Sequence, residues 1–311
     1  GVLRKGIDVF ISKKQQKQIA KISSEQQQGR NLWQDAWQRF RANKAAMVSL
    51  LILMIIVCFS IVIPYVAQHA YDATNWNYVL SPPSIKAGYF MGSDVLGRDL
   101  FVRIAIAGRI SLMVGLLGAL IAALVGTVYG AVSGFFGGKT DAVLMRTVDI
   151  LNAFPFMFFV IILVTMFGRR ISFIFVAIGL FAWIDVARVV RGQTLNLRHA
   201  EFVQAARISG LSSFSIIVNH IIPNVLGVVV VYTALLVPNM ILLESFLSFL
   251  GLGVQEPMTS WGTLLQEGAQ NMQVALWQLV FPGLFLIATL FSFNFIGDGL
   301  RDALDPKMRK E

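Results

Sequence analysis

An all-α polytopic membrane protein, with six transmembrane helices and both termini in the cytoplasm, is the fold that three observations predict. The chain is 56% hydrophobic and only 14% charged, whereas a soluble domain carries about 25% charge. Its apolar residues fall into repeated runs close to the ~20 residues a helix needs to cross a bilayer. Its Lys and Arg residues are spread unevenly over the loops between those runs, and this asymmetry sets orientation.

Residues 1–30 are rich in Lys and Gln and hold few apolar anchors, a composition that favours a mobile or locally helical segment. In 31–44, Leu32, Trp33, Ala36, Trp37 and Phe40 recur at helical spacing, with Arg39, Arg41 and Lys44 before the first span. This pattern fits a helix lying in the membrane interface and equally a helix packed on protein. The first span is expected at 45–66, where 45–63 is free of charge and Pro64 falls near the outer end. A polar connection, 67–105, follows. Within it Asp94 and Asp99 neighbour Arg98 and Arg103, and a short interfacial helix leads into the second span, expected at 109–132.

In that span Gly118, Ala122, Gly126, Gly130 and Gly134 recur every fourth residue. Small residues let helix backbones approach closely in lipid, which suits either an intrachain contact or a subunit seam. Spans three and four are expected at 151–168 and 171–188, separated by Arg169 and Arg170. The fifth runs over 221–243. A connector bearing Gln255 and Glu256 then folds partly back into the membrane before a sixth span at 274–296 and a tail. With both ends inside, 20 Lys and Arg are cytoplasmic and 6 lie outside. The resulting division is a cytoplasmic segment (1–44), a transmembrane domain (45–296) carrying a cytoplasmic loop at 189–220, and a cytoplasmic tail (297–311).

Several functions are excluded or demoted. The net charge of +9 comes largely from the first 44 residues and short loops, with no basic stripe interleaved with aromatics, so nucleic acid is not an expected partner. The first apolar run starts too late and is too long for a signal peptide. Cys58 stands alone and forms no internal disulfide. The glycines of 134–138 lack the GxxxxGK[ST] spacing of a phosphate loop. His69, His199 and His220 have no neighbours at metal-ligand spacing, and no nucleophile–base arrangement is visible. No catalytic residue, cofactor or metal is expected. Asp185 and Glu244 fall near span ends, where Asp185 has Arg188 at i,i+3. Asp141, Arg146 and Asp149 form either a contact surface or a solvated turn. Arg301, Asp302 and Asp305 are expected to form a network in the tail.

The stretch 201–224 is polar between apolar runs. Phe202, Ala205, Ala206 and Ser209 share a predicted helix face, Gly210 is suited to a left-handed helix stop, and Ser212 to capping a second helix. Pro223 stands at the membrane entry. This string resembles the EAA-type loop of permeases in ATP-binding cassette importers, through Glu201, Ala205, Ala206, Gly210, His220 and Pro223. Further motifs follow in order: GSDVLGRD (92–99), RISLMVG (109–115), YGAVSGFFGGKTDAVLMRTVDILNAFPFMFF (129–159), RGQTL (191–195), SFLGLGVQEPMTSWGTLL (248–265) and GDGLRDALDP (297–306). Over 31–309 the chain is similar to the dipeptide/oligopeptide branch, and most like its oligopeptide C-type membrane subunits. Phe202 departs from a common Tyr, and Ser93 from a common Thr.

The resemblance implies a type I importer permease fold in a bacterial inner membrane. It implies a coupling helix docked on an ATPase, with Glu201, Phe202, Ala205, Ala206, Gly210, His220 and Pro223 in the coupling loop. The implied partners are a second permease subunit, two ATP-binding cassette ATPases, a periplasmic or extracellular peptide-binding protein, the peptide and membrane lipid. A dipeptide, cell-wall peptide or nickel importer is an alternative, and an ion-coupled carrier a more distant one.

Overall fold

A bundle of long helices around one central helix is the arrangement that the apolar runs adopt. The structure, a computed structural model, describes residues 32–168 and 171–304; the Lys/Gln-rich 1–30 segment, Arg169, Arg170 and Asp305 lie outside them. The helices are α1 (Leu32–Ala42), α2 (Lys44–Val66), α3 (Leu100–Phe136), α4 (Gly138–Ala153), α5 (Phe156–Phe167), α6 (Ile171–Leu197), α7 (Glu201–Ile208), α8 (Ser213–Ile216), α9 (Ile222–Phe249), α10 (Trp261–Gln270) and α11 (Trp277–Leu304). Among the described residues, four helical stretches are long and apolar enough to cross a membrane: 44–66, 100–136, 213–249 and 277–304. The bent pair α4–α5 makes a fifth if it counts as one span.

Spans differ from their sequence-based bounds for identifiable reasons. The second expected span begins at Leu100 instead of 109, because Asp99 caps the helix by accepting the Phe101 N–H at 2.9 Å. Residues 100–105 therefore belong to α3, not to a separate interfacial helix. At 37 residues, α3 is about 55 Å long and exceeds a ~30 Å hydrocarbon core. The third span is not one straight helix: Phe154 and Pro155 break it, and α4 and α5 meet at 73°. Pro155 disfavours helical geometry in the residue before it. The fifth begins early, at Ser213, through a π turn at Ile217–Ile221. There the Ile222 N–H bonds Ile217 O, and the wider turn accommodates Pro223, which has no N–H to donate. The sixth runs to Leu304, past its expected end.

The small-residue stripe is an intrachain seam. A Cβ on Gly126 would stand 2.5 Å from the Val186 Cβ, and one on Gly130 only 2.3 Å from the Ala187 carbonyl oxygen. One on Gly134 would stand 2.7 Å from the Thr194 Cβ. These contacts run in register, so α3 and α6 lie parallel with their backbones close together. Two polar braces hold α4 against the same pair. Arg191 donates to both oxygens of Asp141 at 2.5 and 2.6 Å, where the Ser133 hydroxyl also donates. Arg188 donates to Asp149 at 3.0 Å. Asp141 and Asp149 are thus committed within the chain, while Arg146 is exposed. The Asp185–Arg188 pair that the i,i+3 spacing allows does not form, because Arg188 turns to Asp149 of α4 instead.

Elsewhere α2 exposes Val48, Leu51 and Ile55, a surface that lipid solvates and water would not. Pro64 deprives the Ser60 carbonyl of its helical donor. Arg109 of α3 supplies one, donating to Ser60 O and to Ile61 O, both at 2.7 Å. In 31–44 Ala36 and Phe40 pack with Ala46 and Ala303, as the reading of a helix packed on protein expects, while Trp33 and Trp37 are exposed. Arg301 and Asp302 are exposed at the end of α11, and among the described residues no ion pair joins them.

Candidate functional site

The 201–224 stretch folds as a helix, a glycine stop and a capped second helix. Glu201 opens α7, and its charge complements the helix N-terminus. Gly210 has φ +78° with open space around it. Its N–H bonds Arg207 O at 3.0 Å, and the Leu211 N–H reaches Ala206 O at 3.2 Å, the paired bonds of a Schellman stop. Ser212 then accepts the Ser215 N–H at 3.2 Å and starts α8. The chain enters α9 through the π turn that contains half-buried His220, and exposed Pro223 stands in the first turn of α9. The His220 carbonyl accepts from the Asn224 side chain at 2.6 Å. Among the described residues no group of three His, Cys, Asp or Glu side chains is arranged to hold a metal ion.

One expectation about α7 needs correction. Phe202, Ala205, Ala206 and Ser209 do not present a single outward face. Val203 and Ala206 are buried and join the main core, whereas Glu201, Phe202, Ala205 and Ser209 are exposed. The reason is the three-residue offset between Val203 and Ala206, which places both on the side facing the bundle. Arg207 stacks over the Phe135 ring at 4.8 Å and ties α7 to the end of α3. Beside it Phe135, Phe136, Arg207, Leu211, Ser213 and Ile216 line a groove of 380 Å³. Ile208 and Phe214 are among the most exposed large apolar side chains, at 88% and 77%. The element is therefore anchored on its inner side and presents exposed apolar side chains among polar ones on its free side.

At the other end of α3 stands a charge cluster that the sequence reading only half identified. Asp94 accepts from Arg98 Nε at 2.6 Å and also from Arg103. Arg98 continues to Glu256 at 2.8 Å, and Arg103 to both oxygens of Glu267 at 2.7 and 3.0 Å. Asp94, Arg98 and Arg103 are all buried. Burial opposes the charge on Arg98, but the hydrogen bonds and charges of Glu256 and Asp94 outweigh it and raise its pKa. Burial raises the Asp99 carboxyl above its usual range, against the hydrogen bond from His69. Ser93, wholly buried, accepts the Ser81 N–H at 2.9 Å and donates to the Tyr78 carbonyl. That role needs only a hydroxyl, so Ser in place of Thr keeps it. The Ser93 carbonyl accepts from Gln278 at 3.0 Å. The 92–99 motif thus clamps the 67–99 loop to α3, α10 and α11. Glu267 gave no local signal, because it is 164 residues from its partner.

Glu244 is fully buried in α9 and shares hydrogen bonds with Ser111 at 3.0 Å and Ser248 at 2.7 Å. Ser111 in turn accepts the Trp261 N–H at 3.2 Å. The 250–260 connector and α10 are thereby fastened to α3 inside the bundle.

Comparisons with known proteins agree with this geometry. Residues 123–310 match the family described as binding-protein-dependent transport system inner membrane component. Residues 31–83 match the N-terminal TM domain of oligopeptide transport permease C. The chain is 58% identical over 302 residues to the oligopeptide transport system permease protein OppC of Escherichia coli K12, covering 97% of this chain and 100% of that protein. It is 43% identical over 280 residues to OppC of Bacillus subtilis, covering 90% and 91%. To the dipeptide transport system permease protein DppC of Bacillus subtilis it is 39% identical over 278 residues, covering 89% and 86%. The likeness spans the 92–103 clamp, the α3–α6 seam and the α7 turn alike, and the chain belongs to the binding-protein-dependent transport system inner membrane component family, as a multi-pass permease subunit of the bacterial inner membrane.

Proposed function

We propose that this chain is the C-type permease subunit of an ATP-driven oligopeptide importer, forming half of the translocation path. The observation that carries the reading is α7: a short helix that seats Val203 and Ala206 in the core, stacks Arg207 on Phe135 at the end of α3, and leaves Glu201, Phe202, Ala205 and Ile208 exposed. Greater identity to the OppC proteins than to DppC of Bacillus subtilis supports oligopeptides over dipeptides. The six spans are α2, α3, the bent α4–α5 pair, α6, α8–α9 and α11, with both termini cytoplasmic. Residues 1–44 and 297–311 flank the 45–296 domain on that side. The 27 residues of α6, about 40 Å of helix, support its role as a span.

ATP hydrolysis belongs to two partner ATPases, against which Glu201, Phe202 and Ala205 bear. Ala206 seats the helix on the bundle, Gly210 stops it, and His220 and Pro223 form the hinge into α9. ATPase closure pushes α7, and a rigid-body shift of α6 and α9 alternates access. A second permease subunit completes the path, and a binding protein delivers peptide at the outer face.

The test is reconstitution in vesicles with both ATPases, the second permease and the binding protein. Peptide-stimulated ATP hydrolysis with peptide uptake is expected. Uptake that persists with hydrolysis-dead ATPases overturns the mechanism.

A further inference from the structure

The face of α6 turned away from α3 carries an unanswered charge. Asp185, Gly192, Gln193 and Asn196 are all exposed, and their spacing places them within one helical stripe. Asp185 has no ion pair or hydrogen bond among the described residues. Its neighbour Arg188 is turned to Asp149, and Arg191 to Asp141. Within α3 and α9 the charged groups are answered, Arg103 and Arg109 by acceptors and the buried Glu244 by serine hydroxyls, whereas Asp298, Arg301 and Asp302 of α11 are exposed toward its C-terminal end. Gly192 has open space where a side chain would stand, so packing within the chain does not require the stripe to be small or polar. Across from it, half-buried Tyr232 of α9 lies close enough to feel the Asp185 charge.

A carboxylate left exposed on a membrane helix does not face hydrocarbon; it faces water or a ligand. Asp185 lies level with Gly126 on the seam, about one turn before Arg188. We propose that Asp185 is a substrate subsite on the translocation path, pairing with a positive charge of the passing peptide. This rests on the oligopeptide reading above. The recognised chemistry is an alkylammonium or guanidinium, which a peptide supplies from its amino terminus or from a basic side chain. Tyr232 supplies a neutral hydrogen-bonding group near it, and Gln193 and Asn196 supply others further along the same helix face, about 12 and 16 Å along the axis.

The experiment uses the whole reconstituted transporter with its binding protein and saturating tri-alanine, Ala-Lys-Ala or Ala-Glu-Ala. Wild type, Asp185→Asn and Asp185→Lys are compared for assembly, basal ATP hydrolysis and uptake. Asp185→Asn is expected to assemble normally. If the side chain is the source of charge, it lowers the Ala-Lys-Ala to Ala-Glu-Ala uptake ratio about tenfold, the effect of one partly desolvated charge pair. If the amino terminus is the source, uptake of all three peptides falls together. In either case Asp185→Lys shifts preference toward Ala-Glu-Ala, which a merely structural role would not do. Unchanged uptake in both variants overturns the proposal, as does loss of the second permease subunit from the Asp185→Asn complex. Absence of wild-type uptake of every peptide overturns the oligopeptide reading and the subsite with it.

Discussion

Arg109 shows how one side chain corrects a defect that the sequence itself introduces. Pro64 removes a donor from α2, and Arg109 restores one to Ser60 O while its guanidinium lies 4.9 Å from the Tyr65 ring centroid. Arg109→Met is expected to lower stability by about 1.5–3 kcal/mol, the range for hydrogen bonds to charged groups. Thermal unfolding in detergent reads the effect. The added change Pro64→Ala should recover part of the loss, since it returns the helical N–H; a double variant no better than Arg109→Met would refute this account. Gly130 is a second residue-scale test. Its missing Cβ leaves room for backbone, not for a movable side chain. Gly130→Val should therefore force α3 and α6 apart and cost about 1–3 kcal/mol, measured the same way.

At the scale of elements, α7 has two faces with different obligations. Ala205 is exposed and Ala206 buried. Ala205→Arg should leave folding intact and abolish peptide-stimulated ATP hydrolysis in the full complex. Ala206→Arg should instead reduce the amount of folded permease, since a charge would enter the core. Equal effects of the two on folding would contradict the assignment of faces. Gly210→Ala meets no clash, yet the left-handed backbone costs an L-residue about 1–2 kcal/mol. Weaker coupling with normal membrane insertion is the expected outcome, read as ATP turnover per peptide imported.

Across the whole molecule, the charge clamp around Asp94 joins segments that are far apart in sequence. Asp94 serves Arg98 and Arg103, which reach Glu256 and Glu267 in the 250–270 region. Removing one member leaves buried charge without a partner, so Asp94→Asn should destabilise by about 3–5 kcal/mol. Glu256 is largely exposed, with 56% of its side chain accessible, and solvent screens its pair. Glu256→Gln should cost less than 1 kcal/mol. A larger loss from Glu256→Gln than from Asp94→Asn, measured by denaturation in one detergent, would show that the clamp is not centred on Asp94.

The apolar runs by themselves determined that this is a helical membrane protein, because lipid leaves helices little choice but to satisfy their own backbones. Local chemistry also determined the turn at 208–215: a glycine and a serine act on neighbouring peptide groups, and they act as expected at Gly210 and Ser212. The small-residue stripe announced a close contact, though not its partner. Tertiary structure alone decided that α6 fills it, that Ala206 faces inward, and that Arg188 turns to Asp149 and leaves Asp185 bare. It also decided the reach of Arg103 to Glu267. Those outcomes depend on which helix lies beside which, and side-chain charges at 39 or 164 residues' separation meet only once the bundle has closed.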